Sequence, residues 1–352
     1  MAPAQTATLP LWPHGTPEPA QTAEPEKDVT TDKDALISGH RSARLTNVTN
    51  PTIAVYPPTR VTNTGAAALV FPGGGYIRLA WNGEGTDTCD WLNSLGMTCL
   101  LVKYRVPEQG RYPANVADLE DAQQAMRIAR AHAAEWHLNP RHIGVIGFSA
   151  GGNLAVVLST HPDDTHVTTT PAAADVDASI DARPDFAIIG YPAYLIPETG
   201  TPNGPQSPGT LAEFPAMNSV YTPNEFTPPT FLIQAENDRG YGGNAVVYYE
   251  ALAHAHIPAE LHIYAEGGHG FGMHPIGMPE EHWTRMAAEF LRELQIIPPA
   301  PVYQPKATSN SSPQAIPPVT PPPCPVPMQA SIPGKADKSL PQQSIATDPA
   351  CW

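Results

Sequence analysis

Residues Gly147-Phe148-Ser149-Ala150-Gly151-Gly152 follow directly on the apolar run Ile143–Ile146. A G-x-S-x-G pattern at the end of a strand, with a helix starting near Ala150, is the setting in which a serine is held on a sharp turn above a sheet edge. Glycines at the flanking positions let neighbouring backbone pass close by, and the helix N-terminus adds a positive field at the hydroxyl. A serine hydroxyl is a weak nucleophile, so this chemistry needs a base and a group to orient that base. Three downstream and upstream segments supply candidates. His269 lies between glycines in Glu266–Phe271, just past an apolar strand pattern, whereas His254, His256, His262 and His274 sit within elements or further along the loop. Asp238 follows the run Thr230–Ala235, with Glu236 on the same loop as its competitor. Finally, Pro72-Gly73-Gly74-Gly75-Tyr76 follows the run Ala67–Phe71, and its backbone can turn N–H groups toward a developing oxyanion. The N–H groups of Gly74 or Gly75, together with that of Ala150, are the candidate donors.

These loops require a frame. Strand patterns at 67–71, 97–104, 142–148, 185–191, 230–235 and 260–265 alternate with helix patterns at 86–95, 116–136, 150–159, 244–254 and 279–294. Such alternation predicts a mainly parallel twisted sheet with helices on both faces. The β-like stretches 43–48 and 52–56 have no helix between them and fit antiparallel strands at one edge. Residues 191–230 are Pro/Gly-rich and too few for a large cap domain.

Composition divides the chain further. Of 352 residues 43 are proline, concentrated at the two ends. We read residues 1–40 as an extended Pro-rich leader, 41–297 as the catalytic domain and 298–352 as a Pro-rich tail without a core of its own. A net charge of −15 argues against nucleic acid or an anionic membrane surface as partner. No apolar run reaches membrane-spanning length and no signal peptide is visible at the start. Four cysteines are present without a CxxC spacing. Cys89 and Cys99 are read as core residues, and Cys324 and Cys351 could pair in the tail. His254-Ala255-His256 lacks converging carboxylates, so neither a metal nor a cofactor is expected.

The motifs together resemble those of the α/β-hydrolase superfamily, within it the esterase group with a PGGGY oxyanion loop that includes acetyl xylan esterase-like proteins. The matching segments run from Pro72–Tyr76 through Glu84-Gly85, Trp91–Gly96, Lys103–Arg105, Gly147–Gly152, Arg183–Phe186 and Pro228–Phe231 to Gly267–Phe271. The resemblance implies an α/β-hydrolase fold and a Ser149–His269–Asp238 triad. It also implies release of short acyl groups, acetyl first, from plant polysaccharide or oligosaccharide esters. A feruloyl or broader aryl and alkyl esterase and a non-catalytic binding scaffold are the alternatives. Tyr76 and Phe271 are candidate pocket residues, with packing beneath the loop the other reading of Tyr76; Arg105 and Tyr112 could border the same pocket, and Glu84 is read as a structural hydrogen-bonding group. The acid loop departs from the group, because Asp238 is followed by Arg239-Gly240-Tyr241-Gly242-Gly243 rather than by Pro and apolar residues. The Pro-rich ends and a polysaccharide substrate point to a secreted or periplasmic protein. The oligomeric state is left open.

Overall fold

The computed structural model describes residues 5–18, 21–34, 36, 40–164, 176–197, 216–274, 277 and 279–300. The chain divides into a compact unit, Met1–Pro301, and a second unit, Val302–Trp352. The tail from residue 301 onward, with Cys324 and Cys351, lies outside the described residues, as does much of the 191–230 segment.

Among the described residues the main sheet has eight strands: β1 (Ala7–Pro10), β4 (Thr52–Tyr56), β5 (Ala67–Phe71), β7 (Thr98–Lys103), β8 (Ile143–Phe148), β9 (Ala187–Gly190), β10 (Thr230–Ala235) and β11 (Ala259–Tyr264). Their spatial order is β1-β4-β7-β5-β8-β9-β10-β11. From β7 to β11 every pairing is parallel, and β4 runs antiparallel to both β7 and β1. A second, three-stranded sheet joins β2 (Lys27–Asp28), β3 (Arg44–Thr46) and β6 (Leu79–Ala80), all antiparallel.

The central strands are apolar at successive positions because both faces are covered. In β5, Ala67, Leu69 and Phe71 point into one core cluster, and Ala68 and Val70 into the other. The first core is closed by α2 (Ala117–Ala131), α3 (Ala150–Thr160) and α4 (Asn244–His254), the second by α1 (Asp87–Ser94) and α5 (Trp283–Glu293). Burial at this scale, ~25 cal/mol per Å² of apolar surface, is the main source of stability.

Three features differ from the sequence reading. Part of the leader is a sheet strand: β1 pairs residue for residue with β4 from Ala7–Val55 to Pro10–Thr52. Leu11 and Trp12 follow it into the core, and the Trp12 indole N–H donates to Asp121 Oδ1 at 2.7 Å. The helix expected to reach Trp136 ends at Ala131. Cys89 and Cys99 are buried, but they are joined in a disulfide (Cα–Cα 5.0 Å) rather than standing as separate core residues. The bridge forms because α1 lies directly on β7, a contact that sequence spacing does not display.

Candidate active site

Because β5, β8, β9, β10 and β11 run in one direction, the loops after them open at one edge of the sheet. Ser149 sits between β8 and α3 with φ 53° and ψ −117°, a conformation that L-residues adopt only under strain. Two backbone bonds pin it: its N–H donates to Gly190 O at the end of β9, and Ala193 N–H donates to its carbonyl, both at 3.0 Å. The flanking glycines are required by space. A Cβ on Gly147 would sit 2.1 Å from Gly151 O, and one on Gly151 would sit 2.0 Å from Phe71 O.

Ser149 Oγ lies 2.7 Å from His269 Nε2, and His269 Nδ1 lies 2.7 Å from Asp238 Oδ2. Asp238 is 3% exposed. Its Oδ2 also accepts from Gln234 Nε2 at 3.0 Å, and its Oδ1 from the N–H groups of Gly240 and Tyr241 at 3.3 and 3.2 Å. Three donors besides the imidazole therefore hold the carboxylate in one orientation. Glu236 is exposed and takes no part. The loops are also tied to each other, since Asn237 Oδ1 accepts the Gly268 N–H at 2.7 Å and Asn237 Nδ2 bonds Glu266. The departure after Asp238 has a structural use: Tyr241 stands beside His269, ring centroids 4.8 Å apart, and lines the cleft.

The glycine loop is positioned from below by Glu84, in a π-helical turn (Asn82–Thr86) that leads into α1. Its Oε2 accepts the Gly73 N–H at 2.7 Å and its Oε1 accepts the Tyr191 O–H at 2.8 Å. The Tyr191 oxygen in turn accepts the Gly272 N–H at 3.1 Å. One carboxylate thus joins the loops after β5, β9 and β11. Burial raises the Glu84 pKa, opposed by these two hydrogen bonds. With Gly73 engaged, Gly74 (φ 135°) and Gly75 (φ 69°) are the loop residues that face the cleft. Ala150, first in α3, has an N–H that no helical carbonyl can take.

The cleft measures about 540 Å³. Ser149, His269, Gly74 and Gly75 form its base, Tyr194 and Tyr241 one wall, and Ser42, Arg44, Ile77 and Arg78 line it from the small sheet and the turn before β6. Tyr76 and Phe271 do not line it. Tyr76 is 3% exposed, with its hydroxyl donating to Asn153 Oδ1 at 2.8 Å, so it packs beneath the loop. Phe271 is 3% exposed against Tyr191. Arg105 is buried in ion pairs with Glu120 and Asp121, both at 2.9 Å, and Tyr112 bonds Asp164. Sequence reasoning missed Tyr194, Tyr191 and Arg44, whose places depend on chain segments far apart in the sequence. Among the described residues no group of three or more His, Cys, Asp or Glu is placed to hold a metal, and no helix is long and apolar enough to cross a membrane.

Comparison with known proteins agrees with this architecture. An acetylxylan esterase from Xylanibacter ruminicola is 32% identical over 221 residues, covering 59% of this chain and 42% of that protein, so the match spans less than half of that relative's length. The carboxylesterase NlhH of Mycobacterium tuberculosis is 26% identical over 253 residues, 66% of this chain and 74% of that one. The crystal structure of an acetyl ester-xyloside bifunctional hydrolase from Caldicellulosiruptor lactoaceticus superposes with a TM-score of 0.60 at 27% identity, covering 83% of this chain and 97% of that one. A family profile described as alpha/beta hydrolase fold matches residues 68–273. With strand order, elbow and profile in agreement over more than half its length, the chain belongs to the alpha/beta hydrolase fold family.

Proposed function

We propose that the protein is a serine carboxylic ester hydrolase that removes short acyl groups, acetyl above all, from saccharide esters. The observation that carries this reading is the unbroken chain of 2.7 Å contacts Ser149 Oγ–His269 Nε2 and His269 Nδ1–Asp238 Oδ2 at the base of an open cleft. His269 takes the Ser149 proton as Oγ bonds to the ester carbonyl carbon. The carbonyl π pair moves to oxygen, where the N–H groups of Gly74 or Gly75 and of Ala150 stabilise it. The C–O bond to the alcohol then breaks, and His269 gives its proton to the departing oxygen. Water, deprotonated by His269, attacks the acyl-enzyme carbonyl; the carbon–Oγ bond breaks, His269 returns the proton to Ser149, and the acid leaves. Asp238 keeps the imidazole in the tautomer with its proton on Nδ1 and stabilises the imidazolium.

Two observations support a saccharide as the alcohol. The names of the acetylxylan esterase and acetyl ester-xyloside hydrolase relatives point that way, and Tyr194 and Tyr241 line the cleft beside the nucleophile, aromatic surface against which a saccharide can pack. The buried Cys89–Cys99 disulfide supports export to an oxidising compartment.

The test is hydrolysis of p-nitrophenyl esters from acetyl to octanoyl, followed by acetate release from acetylated xylan, with Ser149→Ala as control. Activity that peaks at acetyl and disappears in the variant is expected. Activity that survives in Ser149→Ala would refute the mechanism, and activity only on long or aromatic acyl groups would refute the acyl preference.

A further inference from the structure

The protein carries 34 acidic and 19 Lys or Arg residues, yet the exposed charged side chain lining its cleft, among the described residues, is an arginine, Arg78. Apart from the catalytic histidine, the acidic and basic side chains lining the cleft among the described residues are Arg44, Arg78 and Glu84. Glu84 is buried and turned to Gly73 and Tyr191. Arg44 is paired with Asp34. The nearby Asp28 is turned to the N–H groups of Thr30 and Arg44. Asp34 is held below the usual carboxylate range chiefly by the Thr31 N–H, with Arg44 and Arg78 adding to it. Arg44 is thus directly paired with Asp34, whereas the exposed Arg78 has no ion-pair partner among the described residues and keeps its donors for a ligand.

The backbone of Arg78 is anchored to the oxyanion loop. Its N–H and that of Ile77 both donate to Gly74 O at 3.3 Å, closing a turn on the oxyanion loop. The approach is so close that a Cβ on Gly74 would lie 2.0 Å from Arg78 O. A group bound by Arg78 would stand within one side chain's reach of an ester carbonyl held by that loop. In a protein of net charge −15, an exposed guanidinium at the cleft offers a local attraction to an anionic group on a bound substrate. With a short acyl group at Ser149, the open, Arg-lined side is left to the alcohol.

We propose that Arg78 binds a carboxylate on the saccharide that bears the ester, so that esters on uronic-acid-containing oligosaccharides are preferred over neutral ones. This rests on the esterase reading above and deepens it. The planar guanidinium can meet a carboxylate with two parallel N–H···O bonds, which Lys cannot reproduce.

The experiment compares kcat/KM for acetate release from an acetylated xylo-oligosaccharide carrying one uronic acid with that from the neutral oligosaccharide of equal length. It uses wild type, Arg78→Ala, Arg78→Lys and Arg78→Glu, at low and high salt. A solvent-accessible charge-assisted contact predicts a wild-type ratio of about 5–10, carried in KM and reduced by salt. Arg78→Ala brings the ratio to about one, Arg78→Glu inverts it, and Arg78→Lys keeps part of it. A wild-type ratio near one, or a ratio unchanged in Arg78→Ala, overturns the proposal. Hydrolysis of p-nitrophenyl acetate by the wild type separates the two failures: without it the esterase reading falls, and with it only the role of Arg78 does.

Discussion

Glu84 gives the sharpest test of how the oxyanion loop is held. Its carboxylate is buried and makes two bonds, to the Gly73 N–H at 2.7 Å and from the Tyr191 O–H at 2.8 Å, and it touches no reacting atom. In Glu84→Gln the amide oxygen can keep Gly73. The NH₂ group then faces Tyr191, whose oxygen already accepts from Gly272 N–H at 3.1 Å. The tyrosine must accept twice, and its own proton loses its acceptor. A buried donor left unpaired costs about 1–3 kcal/mol, part of which is offset by removing a buried charge. A net loss of about 1–2 kcal/mol follows, or a Tm lower by roughly 3–6 °C for a domain of this size. Because Gly73 stays anchored, kcat/KM should fall by no more than about tenfold. Glu84→Ala removes both bonds and leaves a cavity. The loop then loses its registration, and misplacing one oxyanion donor costs about 10²–10³ in kcat. The loss should appear in kcat with KM little changed, because the loop acts on the transition state. Adding Tyr191→Phe to Glu84→Gln removes the orphaned hydroxyl, so the double variant should be more stable than the sum of the single effects predicts. Steady-state kinetics on p-nitrophenyl acetate and thermal melts of wild type, Glu84→Gln, Glu84→Ala, Tyr191→Phe and the double variant suffice. A Glu84→Ala enzyme within twofold of wild-type kcat refutes the positioning argument. A Glu84→Gln enzyme as inactive as Glu84→Ala would show that the charge itself is needed in the reaction.

Two further predictions follow from the same region. Gly151→Ala places a Cβ 2.0 Å from the Phe71 carbonyl oxygen, backbone that cannot yield, and should abolish activity or soluble expression; Gly268→Ala has φ 66° but nothing within 4 Å of the new atom, so it should cost only about 1–2 kcal/mol of stability. Comparable losses in both, measured as soluble yield and kcat, would sink the steric reading of the elbow. Behind the oxyanion loop, Glu108 accepts the Asp118 N–H at 2.9 Å, and its own N–H donates to Tyr76 O at 2.8 Å. Burial, then repulsion from Asp118 and Asp121, pushes its pKa up to about 10. The folded state thus keeps a proton that the unfolded chain gives up above about pH 4.5, and this contribution to stability declines as pH rises from there toward 10. Glu108→Gln should flatten the decline and raise Tm at pH 9 by at least about 3 °C. Parallel Tm curves for the two proteins between pH 5 and 9 would contradict that.

The parts of the site that could be read from the sequence are those encoded locally. Ser149 and Asp238 follow short apolar runs and His269 follows an alternating strand, and a parallel sheet brings such strand ends to one edge whatever the details of packing. The elements missed are those made by long-range pairing. Ala7–Pro10 contains a proline and alternates only weakly, so nothing local marks it as a strand; it becomes one because β4 offers an open edge. That edge proline is tolerated because an outermost strand needs its ladder bonds on one side only. The consequence reaches the chemistry. Leu11 and Trp12 anchor the leader in the core, and the same leading segment continues to Ser42 and Arg44 in the cleft wall. The Pro-rich bias of residues 1–40 describes the composition of this segment correctly but conceals its structural part, because proline content reports on helix and central-strand formation and says nothing about packing at an edge. Tyr191 shows the same limit from within the domain. It ends an apolar strand like any core aromatic, and only the closure of three loops around Glu84 makes its hydroxyl a joint between the oxyanion loop and the histidine loop. Catalytic groups here are announced by local sequence, whereas the groups that hold them in register, and those that would choose the substrate, arise from the tertiary fold.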